Sequence, residues 1–245
     1  MSRERFFIIK NEKIFRNIIC NLLIIAILFM FSVTTISTEK GNIVAVNNSE
    51  YNGTIYAGDK NCKYVSLMIN VYWGNEYLEE MLTTLKENNV KTTFFVGGMW
   101  AKENPMLLKR IYDDGHEIGN HGYTHKEHGK LSYEKNLEEI LKCHEMVKEI
   151  LNFEMNLFAP PGGSYNKNTT KSASDLNYKT IMWTRDTIDW RDHNESLIYN
   201  RAITNMTGGD LILMHPTKET SMALNKIISY VNDNGLEIRP VSHII

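Results

Sequence analysis

The sequence predicts an α/β protein, a distorted (β/α) barrel of about seven parallel strands preceded by an N-terminal hydrophobic helix. Two observations carry this prediction. Strand-like runs alternate with amphipathic segments from about residue 63 onward, and the chain has 245 residues of which 42% are hydrophobic. Alternation of this kind is typical of βαβ units with a parallel sheet. A chain of this length can bury the single large core that one barrel requires.

The alternation can be followed along the chain. The predicted strands read YVSLMINV, TTFFV, EIGN, NLFA, YKTIMW, DLILMH and LEIRPV. Helical patterns separate them, among them one that Asn104-Pro105 opens, since proline is favoured at a first helical position, and one that Ser132 can cap. In parallel barrels the residues just beyond the carboxyl ends of the strands build the active site. Those positions are residues 70–75, 121–128, 159–165, 186–190 and 215.

The N-terminal part of the chain has a different character. Five basic residues in the first sixteen precede residues 18–31, which are apolar except for Asn21. This order is typical of a secretory signal peptide or an uncleaved signal anchor, although a buried core helix is the other interpretation. We predict a signal anchor or signal peptide over 1–37, a linker over 38–62 and a barrel domain over 63–245. The domain is then membrane-anchored on the extracytoplasmic face, or secreted if the signal is cleaved.

The overall charge argues against one class of partner. The formal net charge is -2 and the isoelectric point is about 6.5. Nucleic-acid-binding domains present clustered basic surface. The composition therefore predicts no nucleic-acid partner.

Three histidines lie within eight positions in the stretch GNHGYTHKEH, residues 119–128. His121 and His125 are separated by three residues, so both imidazoles can face one ion, and neutral imidazole is a common zinc ligand. The stretch follows a predicted strand, and two other strand ends carry DTIDW and LILMHP. Together these positions favour a metal site at the mouth of the barrel.

These motifs give the chain a family resemblance over roughly residues 63–245. KTTFFVGGMWAKENP, GHEIGNHGYTH, FAPPGGSYN, DTIDW and LILMHP resemble the polysaccharide deacetylase family, carbohydrate esterase family 4. WGNEY and FAPP look most like its sporulation-associated, membrane-anchored bacterial branch. The resemblance implies a distorted barrel that removes acetyl groups from N-acetylated sugars of peptidoglycan, chitin or related polymers.

The resemblance also implies roles for individual residues. The family holds a divalent metal, usually zinc, through two histidines and one aspartate, and His121 and His125 match those histidines. The metal polarises the amide and activates water. His215 matches the acid that protonates the leaving amine, and Asp189 matches the carboxylate that orients it.

Contacts with the sugar are implied at two further places. Trp190 matches the aromatic wall that borders the sugar, although plain core packing is the alternative interpretation. The family usually has an arginine that orients the base at the first position of the stretch that reads APPGGSYN in this chain. Here that position is Ala159, and Pro160 and Pro161 follow it. We assign the two prolines to the glycan-binding side of the site.

The first motif departs from the family pattern. Where the family usually has T-F-D-D, this chain has MINV, so Asn70 occupies the position of the catalytic base and Val71 that of the acidic metal ligand. An amide does not accept a proton near neutral pH, and an isopropyl group holds no ion. Three residues could substitute for the missing acidic group: His128 as a third imidazole ligand, Glu76 as ligand or base, and Asp186. Each has an alternative interpretation. His128 can be a solvated loop residue, Glu76 can cap a helix, and Asp186 can satisfy backbone donors in its turn.

Two hypotheses follow. The first is a hydrolase of carbon–nitrogen bonds that performs metal-assisted N-deacetylation of cell-wall glycan, slowed or altered by a weakened metal site and the substituted base at Asn70. The second is a non-catalytic glycan-binding or scaffolding protein at the cell or spore surface. Both take a cell-wall glycan as partner and contact the membrane through the N-terminal helix.

Overall fold

The structure is a computed structural model that describes residues 53–245. The predicted signal anchor over 1–37, its hydrophobic helix and most of the predicted linker lie outside the described residues. Within residues 53–245, no helix combines the length and the apolarity that crossing a membrane demands.

The sheet confirms the predicted parallel architecture. Over the described residues it has nine strands, and every pairing between them is parallel. Their order is β1-β6-β5-β4-β3-β2-β8-β7, with β9 pairing beside β2. The sheet curves as a half-barrel, which is a distorted form of the predicted barrel. In chain order the strands are β1 (Thr54–Ile55), β2 (Tyr64–Val71), β3 (Thr93–Val96), β4 (Glu117–Asn120), β5 (Leu157–Phe158), β6 (Lys179–Ile181), β7 (Arg185–Asp186), β8 (Leu211–Met214) and β9 (Glu237–Ile238).

The helices connect successive strands. The expected starts are confirmed at two of them: Pro105 is the first residue of α3, and the hydroxyl of Ser132 accepts a hydrogen bond from the Lys135 amide at the start of α4. In chain order they are α1 (Asn75–Glu87), α2 (Gly98–Glu103), α3 (Pro105–Asp113), α4 (Tyr133–Leu151), α5 (Lys167–Asp175), α6 (Asp189–Asp192), α7 (Glu195–Ile203) and α8 (Lys218–Asp233), with 3₁₀ turns at His128–Lys130, Pro161–Gly163 and Val241–His243.

Two apolar clusters lie on the two faces of the sheet. The larger lies between the sheet and the helices and includes Leu67, Ile69 and Val71 of β2. The smaller fills the concave face and includes Met68 of the same strand. Because side chains alternate between faces along a strand, Asn70 shares the concave face with Met68. The fold therefore places Asn70 inside the half-barrel, at the carboxyl end of β2.

The folded domain begins earlier than the sequence predicted. β1 lies inside the segment 38–62 that was expected to be a linker, and its Thr54 and Ile55 pair with Thr180 and Ile181 of β6. A strand of two residues carries no detectable alternation, so the sequence pattern gave no sign of it. The described part of the segment is thus an edge strand and its connection to β2.

Candidate active site

An aspartate and a histidine form the most constrained part of the mouth. Asp189, at the start of α6, is fully buried, and its Oδ1 accepts a 2.8 Å hydrogen bond from His215 Nδ1, just after β8. Its Oδ2 accepts from the His215 amide at 2.6 Å and from the Thr220 hydroxyl at 2.6 Å. The Trp190 amide donates to Oδ1 at 2.9 Å. Since Nδ1 is held by Asp189, Nε2 is the nitrogen of His215 that can face a ligand.

The structure brings the two predicted metal histidines together. The ring centroids of His121 and His125 lie 5.1 Å apart. His121 Nδ1 donates to the backbone carbonyl of Ala159 at 2.7 Å, which fixes the tautomer and leaves Nε2 with its lone pair. Burial lowers the pKa of His121 well below its usual 6.5, and burial also lowers the pKa of His125. Both imidazoles are therefore neutral at pH 7, as metal ligation requires.

A buried glutamate shapes the loop that carries His125. Glu139 of α4 accepts hydrogen bonds from the Thr124 amide and hydroxyl, each at 2.7 Å, and from Lys126 Nζ at 3.1 Å. These contacts lie on both sides of His125, whose φ of 55° is in the left-handed region. Burial raises the pKa of Glu139, but the hydrogen bonds from Thr124 and Lys126 outweigh it and hold the pKa below its usual 4.5. The carboxylate thus stabilises a loop conformation that a histidine seldom adopts.

Neutral side chains occupy the positions that the resemblance assigns to the base, the acidic ligand and the arginine. Asn70 is 4% exposed and its Oδ1 has no hydrogen-bond partner among the described residues. Val71 is fully buried in the cluster beneath the helices. Ala159 is fully buried in the concave cluster, where the resemblance implied an arginine. The family resemblance assigns these three positions to the base, the acidic ligand and the group that orients the base, and no unpaired cation is buried at Ala159.

The residues present do not fit the metal centre of the family. Among residues 53–245, no group of three or more histidine, cysteine, aspartate or glutamate side chains is arranged to hold an ion. Catalytic zinc sites have three protein ligands, and His121 and His125 supply two. The isopropyl group of Val71 supplies none. No chemical step is therefore assigned to a metal in this chain.

None of the three conceivable substitutes completes the site. His128 is fully buried and is therefore not a solvated loop residue. Its Nδ1 is hydrogen-bonded to Asn136 Oδ1 at 2.7 Å. Glu76 is exposed in the first turn of α1, where a negative charge favours the helix. Asp186 Oδ1 accepts from the Ile188 amide at 2.8 Å, and so satisfies a backbone donor in its turn.

The residues expected to contact sugar divide into two groups. Trp190 is 51% exposed beside Asp189, so plain core packing does not account for it. Pro160 and Pro161 are buried, with Pro161 under the loop at Gly122. We therefore assign the two prolines to packing below the mouth and not to glycan contact.

Sequence reasoning placed residues 70–75 at the mouth but gave no role to two aromatic residues among them. Tyr72 stacks on His125, with ring centroids 4.7 Å apart and planes at 30°. Trp73 stacks on His215, with centroids 5.8 Å apart and planes at 8°. The available signal was their position directly after Asn70 and Val71, at the end of β2. A ring stacked on an imidazole covers a face and leaves the in-plane nitrogen lone pairs accessible.

Comparison with known proteins defines the class. Residues 57–181 match the family model of polysaccharide deacetylases. The peptidoglycan-N-acetylglucosamine deacetylase of Bacillus cereus is 31% identical over 185 residues, which cover 74% of this chain and 67% of that protein. The chain therefore belongs to the polysaccharide deacetylase family.

Two further relatives are more similar. YlxY of Bacillus subtilis is 39% identical over 191 residues, which are 78% of this chain but only 60% of that protein. Among solved structures, BA3943 of Bacillus anthracis, a pseudoenzyme of carbohydrate esterase family 4, has a TM-score of 0.76 at 39% identity, covering 78% of this chain and 68% of that one. A mutant of BA3943 with restored enzymatic activity has a TM-score of 0.76 at 38% identity.

Proposed function

We propose that this chain binds N-acetylated cell-wall glycan at the mouth of a deacetylase half-barrel and does not deacetylate it. The observation that carries the proposal is the pair Asn70 and Val71, which removes the proton acceptor and the acidic ligand together. The relatives support the ligand class, since the Bacillus cereus protein is a peptidoglycan-N-acetylglucosamine deacetylase. BA3943, at 39% identity, is a pseudoenzyme.

The residues that remain suit recognition. A buried carboxylate fixes His215, so Nε2 can donate or accept one hydrogen bond in a fixed direction without costing the entropy of ordering the side chain on binding. Trp190 offers an exposed indole next to it. Polar groups that are held in place beside apolar walls are typical of ligand sites. These contacts orient a sugar, and hydrolysis would need the water-activating groups that Asn70 and Val71 do not supply.

One titration distinguishes binding from turnover. The full-length protein is mixed with N-acetylglucosamine tetramer, first with zinc and then with a chelator, while calorimetry follows binding and an enzymatic assay follows acetate. We expect the same affinity in both conditions and no acetate above the blank. Acetate that accumulates with zinc and stops on chelation would contradict the proposal.

The second candidate is a slow, metal-assisted N-deacetylase. It is favoured by the proximity of His121 to His125 and by the intact His215–Asp189 pair. Loss of general-base help lowers the rate by about 10²–10⁴-fold, and a loss of only about 10²-fold would leave measurable turnover. Acetate release that the substitution His121→Ala abolishes would identify this activity.

The location belongs to the same proposal. We place the domain outside the cytoplasmic membrane, held through residues 1–37, because a basic segment precedes an apolar one there and the glycan lies outside. Association with sporulation stays a prediction. Protease added to intact cells whose wall has been removed should digest the domain. Protection that persists until the cells are lysed would place the domain in the cytoplasm.

A further inference from the structure

An exposed tryptophan lies beside the fixed histidine at the mouth. Trp73 is 43% exposed, although one face of its indole lies against the imidazole of His215 with the planes 8° from parallel. Parallel stacking covers one face of each ring. Because the imidazole lies on one side only, the exposed area of Trp73 includes part of the opposite face of the indole, which is flat and apolar.

The turn that follows this indole is held on both sides. The next residue, Gly74, has a φ of 84°, and a Cβ there would lie 2.0 Å from the carbonyl oxygen of Pro216. Only glycine allows the turn to approach the backbone that follows His215 this closely. Beyond it, Asn75 Oδ1 accepts a 2.6 Å hydrogen bond from Trp100 Nε1. The turn is thus anchored both to the strand end that carries His215 and to α2.

Two exposed indoles, those of Trp73 and Trp190, therefore lie next to the hydrogen-bonded pair of His215 and Asp189. Trp73 stacks on the His215 ring, and the Trp190 amide donates to the carboxylate that holds this ring. Aromatic side chains beside a few positioned polar groups are typical of ligand sites. Rigid aromatic anchors lose little conformational entropy on binding, so their contact energy is retained as affinity.

We infer that Trp73 is a stacking platform for one pyranose ring of an N-acetylated glycan, and that His215 serves as its support. A pyranose presents a face of C–H groups that packs on an aromatic ring while its hydroxyl and acetamido groups point outward. The inference rests on the proposed function and deepens it. It assigns glycan affinity to a residue outside the deacetylation chemistry.

The test compares three variants of the full-length protein by calorimetric titration with N-acetylglucosamine tetramer. Trp73→Ala removes the face, and Trp73→Phe keeps a smaller one. Met106→Ala, at an apolar side chain that is 78% exposed on α3, is the matched control. We expect about a tenfold or greater loss of affinity for Trp73→Ala, at most about a threefold loss for Trp73→Phe, and no change for Met106→Ala. Thermal unfolding of each variant confirms that it is folded.

The outcomes separate this inference from the function on which it rests. Binding by the wild type that Trp73→Ala leaves unchanged overturns the platform and leaves glycan recognition standing. An equal loss in Trp73→Ala and Trp73→Phe overturns stacking as the cause, since phenylalanine retains an aromatic face. Absence of binding by the wild type overturns both.

Discussion

Replacing Asn70 and Val71 together with aspartate is expected to give a protein that binds zinc and releases acetate at least about 10²-fold faster than the wild type. Asn70→Asp supplies a proton acceptor on the concave face with almost no change in shape. Position 71 matches the acidic metal ligand of the family, so Val71→Asp is expected to give His121 and His125 a third ligand. General-base help alone is worth about 10²–10⁴ in rate, and a bound ion adds to it.

The single variants are the matched controls for this experiment. Asn70→Asp restores the base and leaves the ion without its third ligand, so we expect little acetate. Val71→Asp places a carboxylate where the side chain is fully buried, so in zinc-free buffer it should be destabilised by several kcal/mol. Zinc should then raise the melting temperature of the double variant and not that of the wild type. A double variant that binds zinc yet releases no more acetate than the wild type would show that the missing acids are not the cause of inactivity.

A second large effect is expected for Asp189→Ala, which should lower the free energy of unfolding by about 3–5 kcal/mol. The substitution leaves the two backbone amides of Trp190 and His215, the His215 ring and the Thr220 hydroxyl without their acceptor. For a domain of this size the melting temperature should fall by roughly 6–20 °C. Urea unfolding followed by circular dichroism gives the free energy directly.

The control for that loss is Asp186→Ala. Asp186 is a nearby carboxylate whose Oδ1 accepts from one backbone amide, that of Ile188, and we expect a cost of about 1 kcal/mol. A cost for Asp189→Ala that is no larger than this would contradict the structural role. A large loss in the free energy of unfolding would give Asp189 a structural role, in which its carboxylate holds the end of β8 to α6. That role does not depend on a catalytic base.

Sequence pattern predicted the architecture well wherever the elements were long. β2 coincides with YVSLMINV, an apolar run bounded by breaks, and β4 coincides with the shorter predicted strand EIGN. β1 and β7 have two residues each, which is too short for periodicity to appear. β1 and β7 were found only through their pairing with neighbours in space, whereas β5 and β9, which are equally short, lie within the predicted runs NLFA and LEIRPV.

The candidate site could be predicted from the sequence to the extent that its residues lie at strand ends. His121, His125, Asp189 and His215 each follow or flank a strand, and parallel topology brings those ends to one mouth. The stacking of Trp73 on His215 could not be predicted, since it depends on how closely the turn after β2 approaches the end of β8. The burial of His128 also depends on a partner, Asn136, on another element.

The most direct measurement of the central claim uses N-acetylglucosamine oligomers labelled with ¹³C in the acetyl group, followed by NMR in the presence of the wild-type protein and zinc. One spectrum reports both binding, through broadening and shift of the bound acetyl signal, and hydrolysis, through a separate signal of free acetate. We predict perturbed oligomer signals and no free acetate over a day. A free acetate signal that grows with wild-type protein and is absent with His121→Ala would contradict recognition without deacetylation.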